Sequence, residues 1–253
     1  YIEKMQYITN FQIQLSWRSQ YVGLFKMEYK GIKYYFIDNE YYFGGWTPYG
    51  NINEDIEKFA FFSKAVLSSL PTLEFRPDII HCHDWQTGLI PVLLKEIFYK
   101  NDFYKGMKSI ITIHNLKFQG KWDVDTVREL TGLMPYHFTS DKLEAYGDAN
   151  YLKGGIVYAD KVTTVSENYA KEIKMPFYGE GLDGVIRSRA ADLIGIINGI
   201  DYDEYNPETD KFLKYKFNKR TFRREKEKNK VLLQSELGLE EDPKKMMIGI
   251  VSR

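Results

Sequence analysis

Pro77-Asp78-Ile79-Ile80-His81-Cys82-His83-Asp84-Trp85 is the stretch that decides the fold. Its apolar run has the length of a buried strand and ends in titratable and aromatic groups. A second run, Ser109-Ile110-Ile111-Thr112-Ile113, ends in the same way at His114-Asn115. Two buried strands that each deliver polar groups at their carboxyl ends are the pattern of an α/β site, because a core strand has no use for such groups.

Working outward, the chain repeats a unit. Residues 33–38 read as a strand, and residues 56–70 carry Phe59, Phe62, Ala65, Val66, Ser69 and Leu70 at helical spacing before Pro71 and Pro77 stop the pattern. A strand at 78–82 follows, then a helix over 87–99 with Leu89, Val92, Leu93 and Ile97 on one side and Pro91 in its first turn. Next come a strand at 107–113, a helix at 151–158, a strand at 161–165 and a helix through Lys174 that Ser166 caps. Residues 193–197 are a strand ended by Asn198-Gly199, residues 225–237 a helix, and residues 246–251 a last strand. Strands that alternate with helices predict a mostly parallel, doubly wound sheet with helices on both faces. The carboxyl ends of such strands open on one edge, which gathers His83, Asp84, His114, Asn115, Ser166, Asn198 and Gly199 there.

Composition narrows the function classes. The chain has 253 residues, 43% of them hydrophobic, enough for one large domain or two small ones. Lys+Arg and Asp+Glu balance at 35 each, so no overall field draws nucleic acid or an anionic membrane. Cys82 is the one cysteine and forms no internal disulfide; no apolar stretch has membrane-spanning length and no leader-like start is present. These features predict a soluble, cytoplasmic protein. The start at Tyr1 without an initiator Met and the end at Val251-Ser252-Arg253, where a strand would pass into a loop, predict a piece of a longer polypeptide. The expected division is a domain over 1–210 and a linker, helix and strand over 211–253.

Each candidate has a bland reading beside the functional one. His81 and His83 share a strand face and precede Asp84, a spacing open to a metal. Only four histidines exist, and His137 falls in a loop-like stretch between Pro135 and Ser140, so a strand histidine with a satisfied hydrogen bond is the preferred reading of His81. Asp84 can serve as a helix cap. His114 ends an apolar strand before the loop 116–120, and function is preferred there. The glycines at 154–155 and 179–184 lack the spacing of a phosphate-cradling loop, and Ser166 lacks a nucleophile elbow. Aromatics crowd into Tyr34, Tyr35, Phe36, Tyr41, Tyr42, Phe43, Trp46 and Tyr49. Flat rings with polar tips suit sugar faces. For Trp46 and Tyr49 sugar stacking and core packing both stay open, Phe36 is assigned to the core, and Trp85 is the stronger stacking candidate. Ten Lys or Arg residues between Lys211 and Lys230 read as a solvated linker and helix face rather than a nucleic-acid site.

Long segments of the chain match a known pattern in order. They are 77–89 (Pro77 through His81-Cys82-His83-Asp84-Trp85 to Leu89), 112–120 (Thr112-Ile113-His114-Asn115 to Gly120), 153–166, 178–184, and 197–210 from Ile197-Asn198-Gly199 to Asp210. Together they resemble the bacterial glycogen synthase and plant starch synthase family over nearly the whole chain. The resemblance implies an α/β, Rossmann-like, doubly wound parallel sheet forming the N-terminal half of a GT-B glycosyltransferase, here without the family's first strand and glycine loop. It implies transfer of glucose from ADP-glucose to the 4-hydroxyl at the non-reducing end of an α-1,4-glucan or maltooligosaccharide, with retention and with neither metal nor cofactor.

By the same resemblance His114 contacts the donor glucose and its carbonyl faces the developing oxocarbenium, while Asp84 binds the acceptor or reacting sugar. Trp85, Asn115, Gln119, Asn198 and Tyr49 are the implied substrate-binding residues, and Arg253 the arginine that pairs with the donor phosphates. Since those phosphates are held largely by groups outside the chain, the 253 residues alone are expected to be inactive. Another retaining GT-B transferase and a non-catalytic glucan-binding fragment are the alternative expectations.

Overall fold

Residues 2–45 and 47–251 are described by the computed structural model. The chain folds as two compact units, Tyr1–Ile197 and Asn198–Arg253, with the division ahead of the expected boundary at 210/211.

The first unit opens with a three-stranded antiparallel sheet in the order β1 (Gln6–Leu15), β2 (Arg18–Tyr29), β3 (Ile32–Asp38). The expected strand at 33–38 is present, but it pairs antiparallel with β2, Phe36 opposite Phe25, and takes no part in the parallel sheet. Alternation explains the hairpin that the sequence reading missed. Ile13, Leu15, Val22 and Leu24 are buried, whereas Gln12 and Gln14 on the other face are exposed. Asn39 then caps the short α1 (Glu40–Phe43), its side chain accepting from the Tyr42 N–H. The long α2 (Ile52–Thr72) packs against the hairpin, with Pro71 in its last turn.

The parallel sheet follows. Its strands are β4 (Ile79–His83), β5 (Lys108–Ile113), β9 (Lys161–Thr164) and β10 (Leu193–Gly195), in the spatial order β10-β9-β5-β4. Between β4 and β5 the expected single helix is broken into a 3-10 turn at Trp85–Thr87, α3 (Leu89–Glu96) and a second 3-10 turn at Phe98–Lys100. The segment between β5 and β9 holds a small antiparallel sheet, in the order β6 (Lys121–Asp123), β8 (Asp148–Asn150), β7 (Glu144–Ala145), with α4 (Val124–Thr131) and α5 (Tyr151–Tyr158). α6 (Glu167–Glu172) and α7 (Asp183–Ser188) precede β10. Ser166 caps α6 as its spacing predicts, accepting from the Tyr169 N–H at 3.3 Å.

One sheet face is sealed. Cys82, Ile111, Ile113 and Val162 are at most 1% exposed and pack with the buried Leu89, Val92, Leu93, Leu152 and Ile156 of α3 and α5. Burial of each such aliphatic side chain contributes about 1.5–3 kcal/mol. The fit is close enough to require glycine. A Cβ on Gly88 would lie 2.2 Å from the Tyr151 carbonyl oxygen, and one on Gly155 would lie 2.3 Å from Cδ1 of Ile111. Ile79, His81 and His83 alternate onto the other face and are exposed.

The second unit contains α8 (Phe222–Glu236). Its basic stretch is a solvated helix face: Arg223, Lys226 and Lys228 are exposed, and Glu225 takes ion pairs from Arg224 at 2.6 Å and Lys228 at 3.0 Å. The strand expected at 246–251 does not form. Those residues have no ladder partner among the described residues, and an apolar run becomes a strand only beside a neighbour. Among the described residues no helix is long and apolar enough to cross a membrane.

Candidate active site

β4 and β5 run parallel with His83 opposite Thr112, so their carboxyl ends deliver residues 83–85 and 114–115 to one edge. The Asp84 N–H donates to the Thr112 carbonyl at 2.9 Å, which extends the pairing by one residue. Asp84 then turns the chain sharply, at φ +55° and ψ −168°. That region is close to glycine-only, and holding an aspartate there stores strain. The carboxylate crosses to the neighbouring strand end, where Oδ1 accepts the His114 N–H at 2.7 Å. Thr87 fastens the same turn. Its hydroxyl accepts from the His83 N–H at 2.7 Å and donates to the His83 carbonyl at 2.8 Å.

The histidines form two separate links. His83 Nδ1 and His114 Nε2 lie 3.0 Å apart, one donating and the other accepting. His81 Nε2 instead meets the Thr112 hydroxyl at 2.7 Å, and that hydroxyl meets Thr163 at 2.6 Å. His81 is therefore the satisfied strand histidine that the sequence reading preferred. Burial lowers the pKa of both His81 and His83, and the neighbouring imidazoles lower them further. With both pKa values held below the ordinary 6.5, the two rings, 4.4 Å apart between centres, do not face each other as a pair of cations at pH 7. Burial also pushes the Cys82 thiol up to about 12, so this sulfur is no nucleophile. Among the described residues no group of three or more His, Cys, Asp or Glu side chains is placed to hold a metal ion.

Beside the Asp84 turn lies a cavity of roughly 430 Å³ lined by Tyr49, Asp84, Trp85, Gln86, Asn115 and Phe118, among others. Trp85 is its floor. The indole is 6% exposed, edge-on to Phe59 at 5.0 Å, and Gly120 passes so close that a Cβ there would lie 2.2 Å from the ring. Tyr49 and Phe118, 55% and 60% exposed, are the walls, and the Tyr49 hydroxyl accepts from Gln86 Nε2 at 3.2 Å. Two open aromatic faces around a carboxylate and an asparagine give a cleft suited to a sugar, with rings for its C–H faces and polar tips for its hydroxyls.

The structure thus brings together five of the expected site residues: Tyr49, Asp84, Trp85, His114 and Asn115. Gln119 is not with them. It is 6% exposed, and its amide is spent on the loop, donating to the carbonyls of Leu116 and Glu180 and accepting from Asn150 at 2.7 Å. Asn198 opens the second unit, and Arg253 and Trp46 lie outside the described residues. Gln86 and Phe118 are cavity residues that the sequence reading did not single out. Phe118 carried a signal, an aromatic residue in a loop that directly follows the His114-Asn115 strand end.

With this geometry in place, comparison with known proteins is informative. The family model described as the starch synthase catalytic domain matches residues 1–188. Glycogen synthase of Lachnospira eligens is 69% identical over 253 residues, which are 100% of this chain and 53% of that protein. Glycogen synthase of Clostridium perfringens is 46% identical over 252 residues, 100% of this chain and 52% of that one. The chain therefore spans about half the length of the curated relatives it matches. Among solved structures, the catalytic domain of starch synthase IV from Arabidopsis thaliana, bound to ADP and acarbose, superposes with a TM-score of 0.79 at 31% identity. That match covers 93% of this chain and 49% of the plant domain. From the sheet edge with its Asp84–His114 tie to the family match over most of its length, the chain belongs to the starch synthase catalytic domain family.

Proposed function

We propose that the full-length protein is a retaining GT-B glucosyltransferase of the cytoplasm, a glycogen (starch) synthase that takes glucose from ADP-glucose. The acceptor is the non-reducing end of an α-1,4-glucan or maltooligosaccharide. One observation carries the reading: the aromatic-walled cleft of Tyr49, Trp85 and Phe118 adjoins Asp84, which is tied to His114 at 2.7 Å. An acceptor sugar in that cleft has its terminal hydroxyls beside the residue assigned to the donor glucose.

In the reaction the bond from C1 to the diphosphate oxygen breaks and ADP leaves with the electron pair. The acceptor 4-hydroxyl bonds to C1 on the same face, and its proton passes to the departing phosphate oxygen. His114 holds the donor glucose through its imidazole, and Asp84 fixes the His114 backbone while its second oxygen accepts from a sugar hydroxyl. Asn115, in the cavity lining, is a further substrate contact, and Asn198 and Arg253 keep the substrate-binding and phosphate-pairing roles that the family resemblance implies. The aromatic walls orient the acceptor and exclude water, which matters because hydrolysis competes with transfer.

Replacing His114 by Ala in the full-length enzyme tests the assignment. Turnover with ADP-glucose and maltooligosaccharide falls on the order of 100-fold or more, while ADP affinity stays within about twofold. Equal losses in both refute the role given to His114. Running the intact enzyme with ADP-, UDP- and GDP-glucose settles the base, with ADP-glucose the expected donor.

A further inference from the structure

One buried ion pair borders the cleft, with Asp55 part of the cavity lining and Lys58 behind it. Asp55 and Lys58 lie in the first two turns of α2, three residues apart, a spacing that ordinarily marks a surface ion pair. Here both are buried, 4% and 8% exposed, with Asp55 Oδ1 and Lys58 Nζ at 2.7 Å. The remaining bonds of the pair all go to one loop. Both carboxylate oxygens accept the Gly50 N–H at 3.1 Å, and the ammonium donates to the Pro48 carbonyl at 3.0 Å. The loop is thus gripped on both sides of Tyr49. Thr47 adds a third tie by donating to the Tyr49 carbonyl at 2.8 Å. With its backbone held, Tyr49 leans on Phe59 at 6.3 Å between ring centres and reaches Gln86 across the mouth of the cleft.

We infer that Asp55 and Lys58 are positioning residues that set acceptor affinity by clamping the Tyr49 loop as one wall of the cleft. The inference rests on the reading of that cleft as the acceptor site, and it deepens that reading. Without the clamp Tyr49 is exposed, joined to the body of the unit through one hydroxyl contact and one ring contact. An acceptor then has to order the loop as it binds, and that cost appears in its affinity alone. The donor side is built on β4 and β5 and does not depend on the loop.

The test uses the full-length enzyme and a double-mutant cycle of Lys58→Met and Tyr49→Ala, with Lys58→Arg as the conservative variant. Steady-state KM is measured for maltooligosaccharide and for ADP-glucose, and thermal melting reports folding. Lys58→Met raises the maltooligosaccharide KM about tenfold and leaves the ADP-glucose KM within about twofold. Lys58→Arg, which keeps the charge and donors, stays within about threefold of the parent. Since Lys58 acts through Tyr49, the double variant is less than about twofold worse than Tyr49→Ala alone. Should Lys58→Met melt below the assay temperature, Asp55→Asn combined with Lys58→Met removes both charges without stranding either, and the same selective rise is expected. An unchanged acceptor KM in a folded variant, a parallel rise in donor KM, or additive effects in the cycle overturns the clamp. An unchanged acceptor KM in Tyr49→Ala itself overturns the acceptor reading as well.

Discussion

Asp84 combines a strained backbone with a useful carboxylate, and two substitutions separate them. At φ +55° and ψ −168° the residue occupies a region that costs about 1–3 kcal/mol for anything but glycine. Its Oδ1 accepts the His114 N–H at 2.7 Å, and hydrogen bonds to charged groups contribute about 1.5–3 kcal/mol. Asp84 is partly exposed, which places this bond at the lower end of that range. Asp84→Ala keeps the strain and loses the bond, a net destabilisation of about 1.5 kcal/mol. Asp84→Gly loses the same bond but releases the strain, against about 0.5–1 kcal/mol of extra backbone entropy in the unfolded chain. Glycine should therefore be the more stable variant by about 1 kcal/mol. Urea unfolding followed by tryptophan fluorescence measures the order from the midpoints, provided the slopes agree. Under the proposed function, the same two changes in the full-length enzyme abolish glucosyl transfer, because neither fixes His114. A glycine variant no more stable than the alanine variant refutes the claim that the turn stores strain for the sake of the carboxylate.

Two further outcomes follow from the packing. Gly88→Ala puts a Cβ 2.2 Å from the Tyr151 carbonyl oxygen and 2.7 Å from its carbon, both backbone, so the helices must part. The cost is about 1–3 kcal/mol or more, and an unchanged thermal midpoint contradicts it. His81, His83 and His137 all have pKa values held below the ordinary 6.5, with burial the leading cause. The folded chain therefore takes up protons less readily than the unfolded chain, and stability present above about pH 6.5 is lost on acidification below it. His137→Gln, at the side chain that pairs with the Tyr158 hydroxyl at 3.0 Å, flattens part of that slope, and an identical slope in parent and variant denies His137 a share.

Legibility in the sequence followed the range of the interactions. The parallel strands and the Ser166 cap depend on local pattern, and both lie within a few residues of their expected places. Asp84 and His114 were expected at one edge because strand ends converge in any parallel sheet, whichever residues surround them, and they lie there. The hairpin of β1 and β2 escaped because its strands carry polar residues on the open face and a short turn at Ser16-Trp17 without a glycine. Gln119 stands in a family motif, yet its bonds go to Asn150 and Glu180, partners that no local spacing reveals. Asp55 and Lys58 look like surface charges on a helix until the loop before them closes over both. Residues 246–251 have the composition of a strand and still lack a neighbour to pair with among the described residues.

The most direct test is a crystal structure of the intact protein with a bound maltooligosaccharide. A glucose unit lying between Tyr49 and Phe118 over Trp85, with hydroxyls within about 3 Å of Asp84, is the predicted result. An oligosaccharide bound elsewhere, with this cleft empty at saturating ligand, contradicts the account.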